Sequence, residues 1–416
     1  MSLQPPHRKP LRVLLSEGSS TSAREALTVL AGQGHEVEFC DPDAHCLARF
    51  TRLGRFHRCP GLRDDPGGYL AFIENLLRQE HFDVLLPIHE QGLLFARVPE
   101  RLAPLTGVAL PRFESYRTAH SKSGFGRMLS ALGLPQPPTR AVKWGAELQA
   151  AMRYPCVVKS AIGTASRGTF VLRGPGDLEA AKGALAQIGA DAELLLQDFV
   201  AGAVEHAQAV FCCGELVGFH ACAQVLAGAG GGDAVKESIS RPQVRAQLAR
   251  IGAHLAWHGA LSVDYIRRDG DGTPVYIDCN PRLVEPMNAA LSGVDLVGLL
   301  LAVSLGERPA PASDGRVGVR THLGLQALLG CALRGGSRAD IICEAYDLAM
   351  RRGRYAGSVE ELTPVRLDWP SAVPLAATVL LLTTNPRLAG RLQGKGWGAH
   401  LLDARAIEAI EQWSHG

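Results

Sequence analysis

The sequence predicts an α/β protein: a parallel sheet at the N-terminus, a β-rich middle and a mostly helical C-terminal region. Three observations lead there. Short apolar runs alternate with helix-like stretches up to about residue 113, the pattern of βαβ units. From 140 to about 310, strand-like runs are interrupted by Gly-rich stretches at 163–176 and 228–232. Beyond the Pro-rich joint at Arg308, the patterning turns helical.

Taken in order, 11–17 reads as a buried strand, 23–31 as a helix and 35–40 as an alternating strand ending at Asp41. Residues 69–79 are helix-like and 83–88 form another buried strand. The first βα turn carries Gly18 but no GxGxxG, so it lacks a dinucleotide fingerprint. One helix is expected from about Ser115 to Leu132, with Phe125, Met128, Leu129 and Leu132 as its apolar stripe. The run 375–383 fits either a helix or a buried strand, and apolar stripes in the C-terminal helices read as core. Domains are expected at 1–113, 114–310 and 311–416.

Composition narrows the function classes. The 416 residues carry 43 Lys+Arg against 41 Asp+Glu, a net charge of +2. Bulk charge therefore gives no sign of a nucleic-acid partner. No apolar run reaches the length of a membrane span, and the N-terminus lacks an export signal. Ten Cys without a CxxC pair read as reduced thiols, so a cytoplasmic location is expected. The adjacent Cys212 and Cys213 read as strand residues that need no redox role. Lysine is scarce, at positions 9, 122, 143, 159, 182, 236 and 395. Where arginine is the default cation, a retained lysine marks a place that wants a compact ammonium.

The chemistry-bearing residues begin with an acidic hairpin. Residues 261–267 and 275–280 are strand-like and flank the turn signal Arg268-Asp-Gly-Asp-Gly-Thr-Pro274. A hairpin centred on Asp271 sets Asp264 opposite Asp278, with Asn280 on the same face as Asp278. Two carboxylates about 4 Å apart repel by roughly 4 kcal/mol at an effective dielectric near 20. A hard divalent cation converts that repulsion into binding, and Mg²⁺ suits an all-oxygen set completed by phosphates. Arg282 follows in Asp-Cys-Asn-Pro-Arg, where it could stabilise charge on a transferring phosphoryl group. A buried strand delivers Lys159 to a loop with Gly163, Ser166 and Gly168 in GxxSxG spacing, an anion-cradling pattern distinct from a Walker loop. The strand 194–200 ends in Gln197, Asp198, Phe199 and Val200, an edge able to hold a purine, and Glu205 suits a ribose diol.

In this order, Lys122, Lys159 with its GxxSxG loop, Gln197-Asp-Phe-Val200, Glu205, Asp264 and Asp278-x-Asn280-Pro-Arg282 resemble the ATP-grasp superfamily. The likeness covers about 115–300 and is nearest the carboxylate–amine ligase and biotin-carboxylase-like branches. It implies a Rossmann-like pre-ATP-grasp domain, an ATP-grasp α+β fold of two subdomains and an unassigned helical remainder. It further implies phosphate binding by Lys122, Lys159 and the 163–168 loop, and adenine held by Gln197 and the backbone of 198–200. Glu205 would meet ribose, Asp264, Asp278 and Asn280 the Mg²⁺ (Mn²⁺ as substitute), and Arg282 the phosphoryl group. Both metal carboxylates are Asp where many relatives have Glu. Lys236, beyond the Gly228–Gly232 stretch, is assigned to acceptor-side chemistry, with a mobile surface loop as the competing reading. His258 reads as structural.

The expected activity is ATP-dependent joining of a small carboxylic acid to an amine through an acyl phosphate, with release of ADP. An ATP-grasp kinase or carboxylase is one alternative, and a nucleotide-binding regulatory protein without turnover is another. Neither nucleic acid nor membrane is expected as a partner. The last hundred or so residues leave room for a pocket cover, a homodimer contact, or both.

Overall fold

Leu14, Leu15, Phe39, Val84 and Leu86 have almost no contact with solvent, and they define the first sheet of the computed structural model. The structure describes residues 9–160, 168–188, 193–395 and 401–413. The chain opens with β1 (Arg12–Leu15), α1 (Thr21–Gly32), β2 (Glu36–Asp41), β3 (Gly54–Arg58), α2 (Pro66–Glu80) and β4 (Val84–Leu86). The strands run parallel in the order β3-β2-β1-β4, with Val13 level with both Val37 and Val84. Such a sheet is buried on both faces, which explains its continuous aliphatic runs. Ser20 caps α1 by accepting the Ala23 N–H. Gly18 is required by packing, because a Cβ there would lie 2.7 Å from the Phe39 ring.

Helices α3 (Gln91–Arg97) and α4 (Pro99–Leu102) follow, and then α5 (Phe113–His120) and α6 (Lys122–Ala131). The single helix expected over 115–132 is thus two. Ser121 leaves the helical conformation and caps α6 by accepting the Gly124 N–H, so a local N-cap overrides the continuous apolar stripe.

Next come β5 (Thr139–Lys143), α7 (Ala146–Ala151), β6 (Cys156–Ser160), β7 (Thr169–Leu172), α8 (Pro175–Ile188) and β8 (Glu193–Asp198). They make an antiparallel sheet in the order β5-β8-β6-β7. Its core gathers Val142, Leu148, Val158, Leu172, Leu185, Leu194 and Leu196. A long antiparallel segment follows: β9 (Gly202–Cys212), β10 (Glu215–Ala227), β11 (Asp233–Ile239), α9 (Pro242–Leu255), β12 (Gly259–Arg268) and β13 (Pro274–Asn280). The remainder holds α10 (Met287–Ser292), α11 (Leu296–Ser304), β14 (Arg320–His322), α12 (Gly324–Leu333), α13 (Arg338–Met350), β15 (Val359–Glu360), α14 (Ala372–Thr384), α15 (Ala389–Lys395) and α16 (Ala404–Glu411). The third sheet has the order β13-β12-β9-β10-β11-β14-β15.

Two compact units result. One comprises 1–116, 206–262 and 281–416; the other comprises 117–205 and 263–280. The first unit contains the parallel sheet and a helical core in which Leu328, Ile341, Tyr355 and Leu382 meet β11. Residues 375–383 lie in α14, resolving the helix-or-strand ambiguity. The C-terminal apolar stripes are core only in part. Ile341 and Leu348 are buried, but Ile342, Tyr346 and Met350 on α13 and Leu380 on α14 face solvent.

Candidate active site

The second unit brings four predicted charges together. β6 is an interior strand, flanked by β8 and β7, and its apolar side chains fill the core of this unit. It carries Lys159 inward, 5% exposed. The Lys159 Nζ donates to the Ile277 carbonyl of β13 at 2.8 Å. Burial lowers its pKa, Asp278 and Asp264 raise it, and Lys122 lowers it further. The two lysines and the two aspartates therefore share one electrostatic neighbourhood. Lys122 occupies the first position of α6, where the helix dipole disfavours a cation. Two ammoniums beside two carboxylates, with burial opposing the charge, form an arrangement suited to a polyanion bridged by a cation. Asp264 and Asp278 are half-buried and Asn280 is buried, an all-oxygen donor set that fits Mg²⁺.

The turn of the hairpin closes differently from the expected one. Arg268 N–H donates to Thr273 O, and Tyr265 and Tyr276 meet with ring centroids 5.9 Å apart. The loop spans 269–272, with both glycines at positive φ, 89° for Gly270 and 69° for Gly272. Its centre falls half a residue before Asp271. The expected centre on Asp271 is thereby corrected at the turn, and both aspartates act electrostatically on Lys159.

The strand-end residues are placed as follows. On β8, Gln197 is level with Val157 of β6 and Thr139 of β5, and its Nε2 donates to Thr139 Oγ1 at 2.9 Å. The Asp198 N–H donates to Pro138 O, so that donor is already engaged. Phe199 lies beneath the Arg173 guanidinium. Glu205 is buried and pairs with Arg267 Nε at 3.0 Å. Gly202 runs against Arg267, and a Cβ on it would lie 2.2 Å from that carbonyl. Gly168 has φ 77° and accepts the Ser160 N–H through its carbonyl. Gly163 and Ser166 lie outside the described residues.

Within the first unit, Lys236 is not on a mobile surface loop. It sits on β11, 3% exposed, with its Nζ 2.7 Å from Glu285 and 2.9 Å from Glu361. Burial opposes its charge, but Glu285, Glu361 and Glu25 together hold its pKa well above the lysine range. Burial, and then Glu361, push the Glu25 carboxyl well above the carboxylate range. Glu25 accepts the Met287 N–H and Glu285 accepts the Thr21 hydroxyl. Glu25, Glu285 and Glu361 were missed in the sequence because they come from three distant segments with no shared spacing. The one local signal was Arg24-Glu25 inside an otherwise weakly polar helix. Arg282 is buried, and its carbonyl accepts the Ser262 hydroxyl.

Comparisons with known proteins agree on the fold. No family model matches the chain. It is 31% identical over 182 residues to a formate-dependent phosphoribosylglycinamide formyltransferase of Bordetella avium, covering 41% of each chain. The chain thus spans less than half the length of that curated relative. A carboxyaminoimidazole ribonucleotide synthase from Aspergillus clavatus, solved with ATP, superposes with a TM-score of 0.59 at 16% identity, covering 76% of this chain and 82% of that one. The biotin carboxylase domain of a Hydrogenobacter thermophilus 2-oxoglutarate carboxylase, solved with MgADP and bicarbonate, gives 0.57 at 15% identity, covering 76% and 74%. Among the described residues no helix is long and apolar enough to cross a membrane. With the parallel N-terminal sheet, the antiparallel lysine-bearing sheet and the acidic hairpin in this order, the chain shares the fold of these solved enzymes, the fold that its resemblance to the ATP-grasp superfamily implies.

Proposed function

We propose that the chain is an ADP-forming ligase that joins a small carboxylic acid to an amine. One observation carries this reading: the buried ammonium of Lys159, bonded to the Ile277 carbonyl, lies within electrostatic reach of Lys122, Asp264 and Asp278. In this reading the lysines hold the triphosphate, and Gln197 with the 198–200 strand end holds the adenine. Glu205 would act through Arg267 rather than directly. Asp264, Asp278 and Asn280 would hold Mg²⁺, which supplies charge neutralisation between phosphates when bound. The acid's carboxylate oxygen attacks the γ-phosphorus and ADP departs. The amine nitrogen then attacks the acyl carbon, phosphate leaves and the amine proton passes to solvent or base. Phosphoryl transfer asks mainly for positioning and charge stabilisation. We assign Arg282 to the phosphoryl charge and Lys236 to the acceptor side, and the cytoplasm as the site of action.

The test is Asp278→Ala, assayed for ADP release over pools of acids and amines. Loss of ADP release with an unchanged circular dichroism spectrum is expected. Wild-type turnover by the variant in Mg²⁺ would overturn the metal assignment. Phosphorylated acid accumulating without amine consumption would instead make the chain a kinase, and bicarbonate-dependent release without amine a carboxylase.

A further inference from the structure

Away from these residues, the β9–β10 hairpin tip and the segment after α9 bring two sulfurs and an imidazole together. Cys212 Sγ, Cys213 Sγ and a ring nitrogen of His258 all lie within 4.8 Å of one another. Cys212 ends β9 and is buried, Cys213 is exposed and His258 is half-buried. The Cys213 sulfur stands 3.6 Å from His258 Nδ1. Bonds of about 2.3 Å to sulfur and 2.0–2.1 Å to nitrogen at a tetrahedral angle put those two atoms roughly 3.6 Å apart. The separation is already that of two ligands on one ion.

Two further features point the same way. The Cys213 N–H donates to His258 Nδ1 at 3.3 Å, so the Nδ1 lone pair lies on the Cys213 side and would exchange this long hydrogen bond for the ion. Cys213 has φ 51°, a left-handed turn position followed by Gly214, where Asn or Gly is the ordinary occupant. A residue held there against preference marks a candidate functional position.

The supporting backbone is fixed. The Gly214 N–H donates to Trp257 O at 2.6 Å, and Trp257 is fully buried and stacked on Tyr116. Gly259 approaches Ala109 so closely that a Cβ would lie 2.4 Å from its carbonyl. His258 is thus held between two pinned residues.

We propose that Cys212, Cys213 and His258 bind one borderline-to-soft divalent transition-metal ion of the zinc class. Binding converts both thiols to thiolates and releases their protons to solvent. The Cys212 thiol would give up its contact with the Glu307 carbonyl. The three ligands leave one tetrahedral position to water or an exogenous donor.

The full chain, kept reduced, is titrated with Co²⁺ alone. One equivalent should produce a thiolate-to-cobalt charge-transfer band with proton release, and Zn²⁺ should abolish the band. Cys213→Ser and His258→Ala, checked for fold by circular dichroism, should each weaken Co²⁺ binding at least about tenfold, while Cys331→Ser should not. Absence of the band at one equivalent, or a band unchanged by Cys213→Ser, would overturn the site. So would an intact mass short of two hydrogens in freshly isolated protein, since that marks a vicinal disulfide instead.

Discussion

The ammonium of Lys159 donates to the carbonyl of Ile277 at 2.8 Å, tying β6 to β13 next to Asp278. The contact holds the cation where its charge is desolvated and where two carboxylates compensate it. Lys159→Met removes the charge and keeps the stem. ATP turnover should fall by about 10²–10³-fold, the usual loss for one transition-state electrostatic contact. Steady-state ADP release measures this, and a loss under tenfold would remove Lys159 from the phosphate-binding role.

His220 reports on acid stability. It is 4% exposed, bonded to Asn288, and burial depresses its pKa to about 4. The unfolded chain titrates this group near 6.5. Its contribution is therefore present above about pH 6.5 and is lost as pH falls toward 4, by at most about 3 kcal/mol. Melting temperatures measured from pH 7 to 4.5 should decline less steeply for His220→Gln than for the parent. Identical slopes would sink the assignment.

Arg24 on α1 and Asp368 form an ion pair at 2.6 Å, with side chains 1% and 0% exposed. Asp368 also accepts from the Thr51 hydroxyl and the Arg52 N–H. Asp368→Ala leaves a buried guanidinium uncompensated and should cost about 3–5 kcal/mol in urea unfolding. A cost below 1 kcal/mol would show that the pair is open to solvent.

The Lys236 cluster distinguishes charge from hydrogen bonding. The Lys236 ammonium pairs with half-buried Glu285 and buried Glu361 and feels buried Glu25, whose pKa is raised by burial and by Glu361. Burial therefore favours the protonated form of the Glu25 carboxyl. Glu25→Gln should change stability by less than about 1 kcal/mol, whereas Lys236→Met should cost about 3 kcal/mol or more. Equal losses from both substitutions would mean that Glu25 is ionised.

Local signals were legible in the sequence and long-range meetings were not. The β12–β13 hairpin was readable from its dense turn residues, and Lys159 from an aliphatic strand ending in a cation. The centre of the turn falls half a residue early because two glycines, Gly270 and Gly272, both adopt positive φ. The α5–α6 break was written in Ser121 but masked by the apolar stripe on either side. Glu285 and Glu361 could not be paired with Lys236, since only the tertiary fold brings β11, the chain after β13 and the chain after β15 together. The exposed Leu380 shows that an apolar stripe records a face without saying what covers it.

The second unit is assembled from two stretches, 117–205 and 263–280. A clone ending before residue 263 would possess the lysines but neither aspartate, and one starting at 263 the reverse. Minimising this protein by truncation therefore cannot isolate the second unit. A workable miniature would have to replace 206–262 with a short artificial bridge joining the two stretches.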